Sequence, residues 1–290
     1  MGSEMCIRYR LKRSLIQNRP DLNGKIEIKS IRYSDILEQR QSDVWERMRS
    51  AGDDFGRGFG SLRNLSRYIW LNLRRFLIFN ITSGFLVNHQ AAVSGSIYKK
   101  VMHRFKDEII DGWEKIPAED RERTAVVVLA DALGGHLISN YIWDIQNDLD
   151  DDCTKSSNLF DGLDPSLIKI VSLQKMELLV TTGCSIPLFI SGFPEIQAIE
   201  NNRLGYRFRW LNIYDDDDLM GWPLQPLGAY FDESKRGRSY ADVVEDVQMN
   251  AHGGLRGYFM KGLNPYTHWE YLETGSIKQR LAQEIGRLLN

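Results

Sequence analysis

The sequence predicts an α/β protein built on a mostly parallel sheet with helices on both faces. Three observations predict it. Short runs of apolar and β-branched residues alternate with longer stretches of helical spacing, as crossover units require. One run, TAVVVLA at Thr124–Ala130, is apolar at nearly every position, the pattern of a central parallel strand buried on both faces. The chain then closes on an amphipathic helix at Ile277–Leu289, with Ile277, Leu281, Ile285, Leu288 and Leu289 along one stripe.

The remaining elements follow in order. Cys6–Ile16 reads as a basic amphipathic helix, and Lys25–Tyr33 (KIEIKSIRY) alternates like a strand. Asp35–Ser50 and Leu62–Phe76 have helical spacing. So does Ser94–Ile116, where Val101, Phe105, Ile109, Ile110 and Trp113 share a face. After the TAVVVLA strand, His136–Gln146 reads as a helix. Glu177–Thr182 (ELLVTT) and Phe208–Tyr214 (FRWLNIY) are strand-like, and a weaker strand runs through Val244–Met249. The expected organisation is a single domain over residues 1–290, with about 62–120 as a helical insertion or lid.

Bulk properties exclude several classes. A chain of 290 residues with 42% hydrophobic and 26% charged residues has apolar mass for a sizeable core. Net charge is −2, so there is no global footprint for nucleic acid or for an anionic membrane. The three cysteines, Cys6, Cys153 and Cys184, have neither disulfide-framework nor zinc spacing. The N-terminus lacks the apolar run of a secretory signal, so a cytoplasmic setting is the expectation. In Tyr68–Val87, Arg74 and Arg75 sit mid-segment at about 2.5–3.5 kcal/mol each, which disfavours a transmembrane helix. That segment is expected to be a buried helix leading into an irregular stretch near the site mouth. The alternative is a lid or membrane-surface element.

The segment VVVLADALGGHLISNYIWD carries the chemistry. A buried strand turning sharply into a helix through small residues is the geometry of a nucleophile elbow, G-x-S-x-G. The apical residue is held in a strained conformation, so the residues two before and two after it must be small. Ala130 and Gly134 comply, but the apex is Ala132, which has no hydroxyl. The bland alternative is a glycine-rich turn that binds nothing. No G-x-G-x-x-G can be written, so a dinucleotide site lacks its phosphate loop.

This stretch resembles the H-S-L-G-G elbow of lipase- and esterase-like α/β-hydrolases, with Asp131 for histidine, Ala132 for serine, and Leu133-Gly134-Gly135 matching. Downstream, FRWLNIY runs into Asp215–Asp218 and then LMGWPLQPL. That resembles the acid loop of DDHD-type phospholipases and related bacterial hydrolases, D-P-V-A-Y-R-L-E-P-L. Matching Leu224, Pro226 and Leu227 puts the acid at Asp218, with Asp217 as the register alternative. Taken alone, four carboxylates also read as a solvated loop or an adventitious divalent-ion site. NPYTHWEYLETGSI resembles the S-H-x-x-Y-W segment of the same families and places the histidine at His268, with His252 as runner-up. LLVTTGCSIPLF resembles a pocket-wall loop, T-x-G-S-P-x-P-L-F, in which Cys184 is expected to be a neutral buried thiol.

The resemblance covers roughly Lys25 to the C-terminus and implies an α/β-hydrolase-type fold with a Ser-Asp-His scaffold. It implies a carboxylesterase, lipase or phospholipase homologue acting on a small-molecule ester or lipid-like ligand, without metal or cofactor. Ala132 leaves it inactive as written. A non-catalytic module binding a ligand or a protein is the alternative. The oxyanion donors are expected to be the N–H of Leu133 and a second from an early loop. No early strand ending in His-Gly is visible, and Met1-Gly2 is expected to be the stub of that motif, which assigns Gly2 the second donor. Two origins fit Ala132. An engineered serine-to-alanine change leaves its surroundings intact, whereas natural loss also accounts for Asp131 and the absent strand.

Overall fold

The computed structural model describes residues 2–52, 75, 79, 97–148, 159–190, 199, 207–228, 244–250 and 271–289. Four strands form one sheet: β1 (Val126–Asp131), β2 (Met176–Thr182), β3 (Arg209–Tyr214) and β4 (Val244–Gln248). Their spatial order is their order in sequence, and every neighbouring pair is parallel. The helices are α1 (Gly2–Asn18), α2 (Ser34–Gly52), α3 (Ile97–Glu114), α4 (Ala118–Arg121) and α5 (Leu133–Asp148). They continue with α6 (Pro165–Val171), α7 (Ile186–Ile190) and α8 (Gly275–Arg287). The chain is therefore the α/β protein that its alternating pattern predicts.

Strand order explains where the helices go. Parallel crossovers are right-handed almost without exception, so successive steps in one direction keep the connecting chain on one face. Helix α5 lies on that face, where Gly135 approaches Thr181. The chain ends cover the other face. There Leu178, Val180, Leu211 and Ile213 are buried against Leu15 and Leu22, and against Ile277, Leu281 and Ala282 of α8. Of the predicted stripe of the last helix, Ile277 and Leu281 are buried, Ile285 and Leu288 are half-buried, and Leu289 is exposed.

Glu284 breaks that stripe. Its fully buried side chain accepts from Arg209 at 2.9 Å, Arg280 at 2.9 Å and Arg287 at 2.8 Å. Burial pushes the carboxyl up, but the hydrogen bond from Arg209 and the charges of all three arginines outweigh it and hold it below its ordinary value.

The chain divides into two compact units, residues 1–30 with 106–290, and residues 31–105. In the smaller unit, Tyr33 packs on Phe105 with ring centroids 5.9 Å apart, and Arg104 pairs with Asp35 at 3.2 Å. The helix expected at Leu62–Phe76 and the apolar segment Tyr68–Val87 fall outside the described residues, apart from Arg75 and Phe79. Much of the insertion expected at 62–120 does too, although α3 and α4 lie inside it. No helix among the described residues is long and apolar enough to cross a membrane.

Two expectations need correction. Residues 26–33 form no strand. Ile26 and Ile28 pack against the core instead, and Lys29 pairs with Glu108 at 2.7 Å and with Asp111. Alternation marks one buried side of an extended segment; it does not supply a ladder partner. Second, β1 is not central among the described strands. Among the described strands it stands at the sheet edge, with Val126–Leu129 only half-buried, while β2 and β3 take the interior. Apolar composition reports affinity for a core, not position in the sheet order.

Candidate functional site

The turn between β1 and α5 is one residue long. Ala132 has φ +50°, a left-handed conformation that costs a residue with a Cβ about 1–2 kcal/mol. The Ala132 N–H donates to the Thr182 carbonyl at 2.8 Å, and the Ala132 carbonyl accepts from the Gly135 N–H at 3.1 Å. Together these bonds pin both sides of the bend. Gly134 and Gly135 are buried, and a Cβ at Gly135 would stand 2.6 Å from Cys184 Sγ. The helix thus leaves the strand at close range because there is no side chain at 135 to hold it off. The strained residue is 132 and not its neighbour. Asp131 belongs to the strand, and its carboxylate accepts from the Thr182 hydroxyl.

The four aspartates after β3 separate by environment. Asp215 and Asp218 are buried, Asp217 is half-buried and Asp216 is exposed. Asp215 organises the turn: its carboxylate accepts from Asp217 N at 3.0 Å, and its carbonyl accepts from Asp218 N at 3.0 Å. Asp216 accepts from Gln248 at 3.0 Å. Asp218 turns inward. One of its oxygens accepts from Met220 N at 2.9 Å and the other from the Tyr271 hydroxyl at 2.9 Å. Among the described residues no His, Cys, Asp and Glu side chains are grouped to hold a metal ion.

A row of polar side chains crosses the sheet beneath this loop, with Thr181 and Asn212 buried and Asp246 half-buried. Thr181, Asn212 and Asp246 are register partners on β2, β3 and β4. Trp210 donates to Thr181 Oγ1 at 3.0 Å, and Thr181 donates to Asn212 at 2.8 Å. Asn212 in turn donates to Asp246 at 2.8 Å and to the Trp222 carbonyl at 3.0 Å. Asp246 also accepts the N–H groups of Leu224 at 2.9 Å and Gln225 at 2.8 Å. The row anchors the far end of the acid loop to the sheet. Sequence reasoning passed over Asn212 and Asp246, and met Tyr271 only as the tyrosine of the S-H-x-x-Y-W resemblance. A polar residue in an otherwise apolar strand, such as Asn212 in FRWLNIY, was the available signal.

The remaining expected residues divide between described and undescribed chain. Leu133 opens α5, so its N–H belongs to a helix's first turn and has no intrahelical acceptor. Gly2 is the first residue of α1. Cys184 is fully buried and in no disulfide, and burial pushes its thiol up to about 12, which makes it a packing residue at neutral pH. His136 is also fully buried. It packs on Phe189 at 5.1 Å between ring centroids, with Nε2 3.3 Å from Asn140 and Nδ1 without a partner. His268, its runner-up His252 and the rest of residues 251–270 lie outside the described residues.

The described part thus holds a strained apex after β1 with a helix N-terminus behind it and, after β3 on the far side of β2, an inward carboxylate. A methyl group stands at the apex, so no side chain at position 132 can attack an electrophile. No family model, no curated protein and no solved structure matches the chain.

Proposed function

We propose that the chain is an ester-hydrolase scaffold of the α/β-hydrolase type that lacks its nucleophile and, as written, hydrolyses nothing. The observation that carries this reading is φ +50° at Ala132. Such strain persists only where the surroundings over-determine it, and here it falls at the apex of a strand-to-helix turn whose neighbours are small. The order of elements supports it further. The apex follows β1 and Asp218 follows β3, both at the carboxyl edge of one parallel sheet, where open α/β sheets bind ligands.

With serine at position 132, the hydroxyl would attack an ester carbonyl. His268 would take its proton and return it to the leaving alkoxide, and Asp218 would orient the imidazole. Asp217, half-buried, is the weaker acid candidate because Asp218 is the one turned inward. The oxyanion would be held by the N–H groups of Leu133 and Gly2. His268 precedes Tyr271 by three positions, which limits their Cα atoms to about 11 Å apart. The ligand in this reading is a small ester or lipid-like molecule, with no metal or cofactor.

A second reading is a non-catalytic binding module. It draws on two exposed apolar side chains in the acid loop, Leu219 at 75% exposed and Trp222 at 42%. A fluorophosphonate serine-hydrolase probe separates the two readings. The hydrolase reading expects no labelling of the chain as given, labelling of Ala132→Ser, and its loss when His268→Ala is added. If folded Ala132→Ser stays unlabelled, that reading falls and the binding module takes its place.

A further inference from the structure

We propose that the amino edge of the sheet carries a second binding site, a polar cavity that takes a phosphate group between Arg123 and Arg207. It stands apart from the hydrolase reading, at the opposite end of the strands from Ala132 and Asp218.

The cavity has a volume of about 460 Å³ and opens where three strands begin. Residues 122–125 lead into β1, residues 174–177 span the start of β2, and Arg207 stands two residues before β3. The length of β1 puts roughly 20 Å between this cavity and the bend at Ala132. A cavity of this size matches small-molecule sites, which run from about 300 to 1,000 Å³.

The fold leaves two of its cations unused. Arg123 and Arg207 are exposed, and among the described residues neither guanidinium has a hydrogen-bond or ion-pair partner. Arg209, at the start of β3, instead commits its guanidinium to Glu284 at 2.9 Å and Glu245 at 3.2 Å. Lys175 supplies a third, fixed cation. Its Nζ donates to the carbonyls of Arg121 at 2.9 Å and Glu122 at 3.2 Å, and stands 5.3 Å from the Trp113 ring centroid. Two of its three donors are thereby used and one remains. Glu122 and Glu177 also line the cavity, so three cations face two carboxylates and the balance is positive. The Glu122 side chain is 96% exposed and 3.8 Å from Lys175, where water screens most of its charge.

Two guanidinium forks and a fixed ammonium suit a tetrahedral oxyanion better than a planar one. Each fork can take two oxygens, and the ammonium can take a third. A phosphate monoester presents three such oxygens and a charge of about −1.5 to −2 at pH 7. A carboxylate presents two oxygens and one charge, which leaves a fork idle. The volume exceeds that of one phosphate, and the Gln174 amide on the cavity wall can bond a hydroxyl of an attached group.

The test is an NMR shift titration of the full chain, read at the Gln174 side-chain amide and the backbone amides of residues 122–125. Inorganic phosphate and glycerol 3-phosphate are the probes, with acetate as the comparison. Both phosphates are expected to give saturable shifts that weaken as sodium chloride is raised. Arg123→Ala and Arg207→Ala, both at exposed positions, should each raise the Kd about tenfold, as the loss of a charged hydrogen-bond donor does. Tighter binding of glycerol 3-phosphate assigns the site to a small organic phosphate, and equal binding assigns it to free phosphate; either upholds the proposal. It is overturned if no saturable shift appears by a phosphate concentration on the order of 10 mM. It is equally overturned if both arginine variants leave the Kd unchanged, or if acetate binds as tightly as phosphate.

Discussion

Gly135 and Cys184 are in contact: a Cβ added to the glycine would lie 2.6 Å from the Cys184 sulfur. Gly135 sits three residues past the bend in α5, and Cys184 two residues past the end of β2. Their approach sets how closely the helix passes the neighbouring strand.

Gly135→Ala should therefore destabilise the protein by about 1–3 kcal/mol, despite alanine's better helix propensity, because the added methyl overpacks a buried contact. Cys184→Ala removes the obstructing atom and should recover much of that loss in the double variant. Chemical denaturation of both single variants and the pair measures the coupling. Additive effects would mean that the helix shifts freely and that the contact does not set its position.

Strain at Ala132 makes an opposite prediction for its own replacement. Glycine ordinarily costs about 0.5–1 kcal/mol relative to alanine in a regular element. At φ +50° the left-handed penalty disappears with the Cβ, so Ala132→Gly should stabilise by a few tenths to about 1 kcal/mol. Thermal melts of the two chains read the sign directly. A lower melting temperature for the glycine variant would show that the turn is not strained.

His136 predicts a specific acid sensitivity. Burial lowers its pKa from 6.5 to about 4, so the folded state holds a neutral imidazole. Above pH 6.5 both states are neutral and the group does not affect stability. As pH falls from 6.5 toward 4, the unfolded chain takes up a proton that the folded chain refuses, and stability is lost. Below about pH 4 both states are protonated and the loss levels off at about 3 kcal/mol. His136→Leu should flatten the stability curve over that interval, as measured by urea denaturation from pH 7 to pH 4. An unchanged slope would assign the acid sensitivity to other groups.

Much of the fold was readable because periodicity depends on local sequence. ELLVTT and FRWLNIY became β2 and β3 nearly as bounded, and Ile277 and Leu281 of the predicted apolar stripe lie on the buried side of α8. The apex at residue 132 was readable for a steric reason, since small residues two before and two after it permit a bend there. KIEIKSIRY was not, because alternation in an extended segment looks the same with or without a ladder partner.

What the sequence alone determined is therefore which residues seek a core, where the chain bends at Ala132, and that this apex carries no nucleophilic atom. The tertiary structure decided the rest. It put TAVVVLA at an edge of the described sheet, turned Asp218 inward among four adjacent carboxylates, and joined Thr181, Asn212 and Asp246 in one row. It also brought Tyr271 to Asp218 across 53 residues of chain. The physical reason is range. Helical and strand preferences act over a few residues, whereas strand order, register and a hydrogen bond between distant side chains exist only once the sheet has assembled.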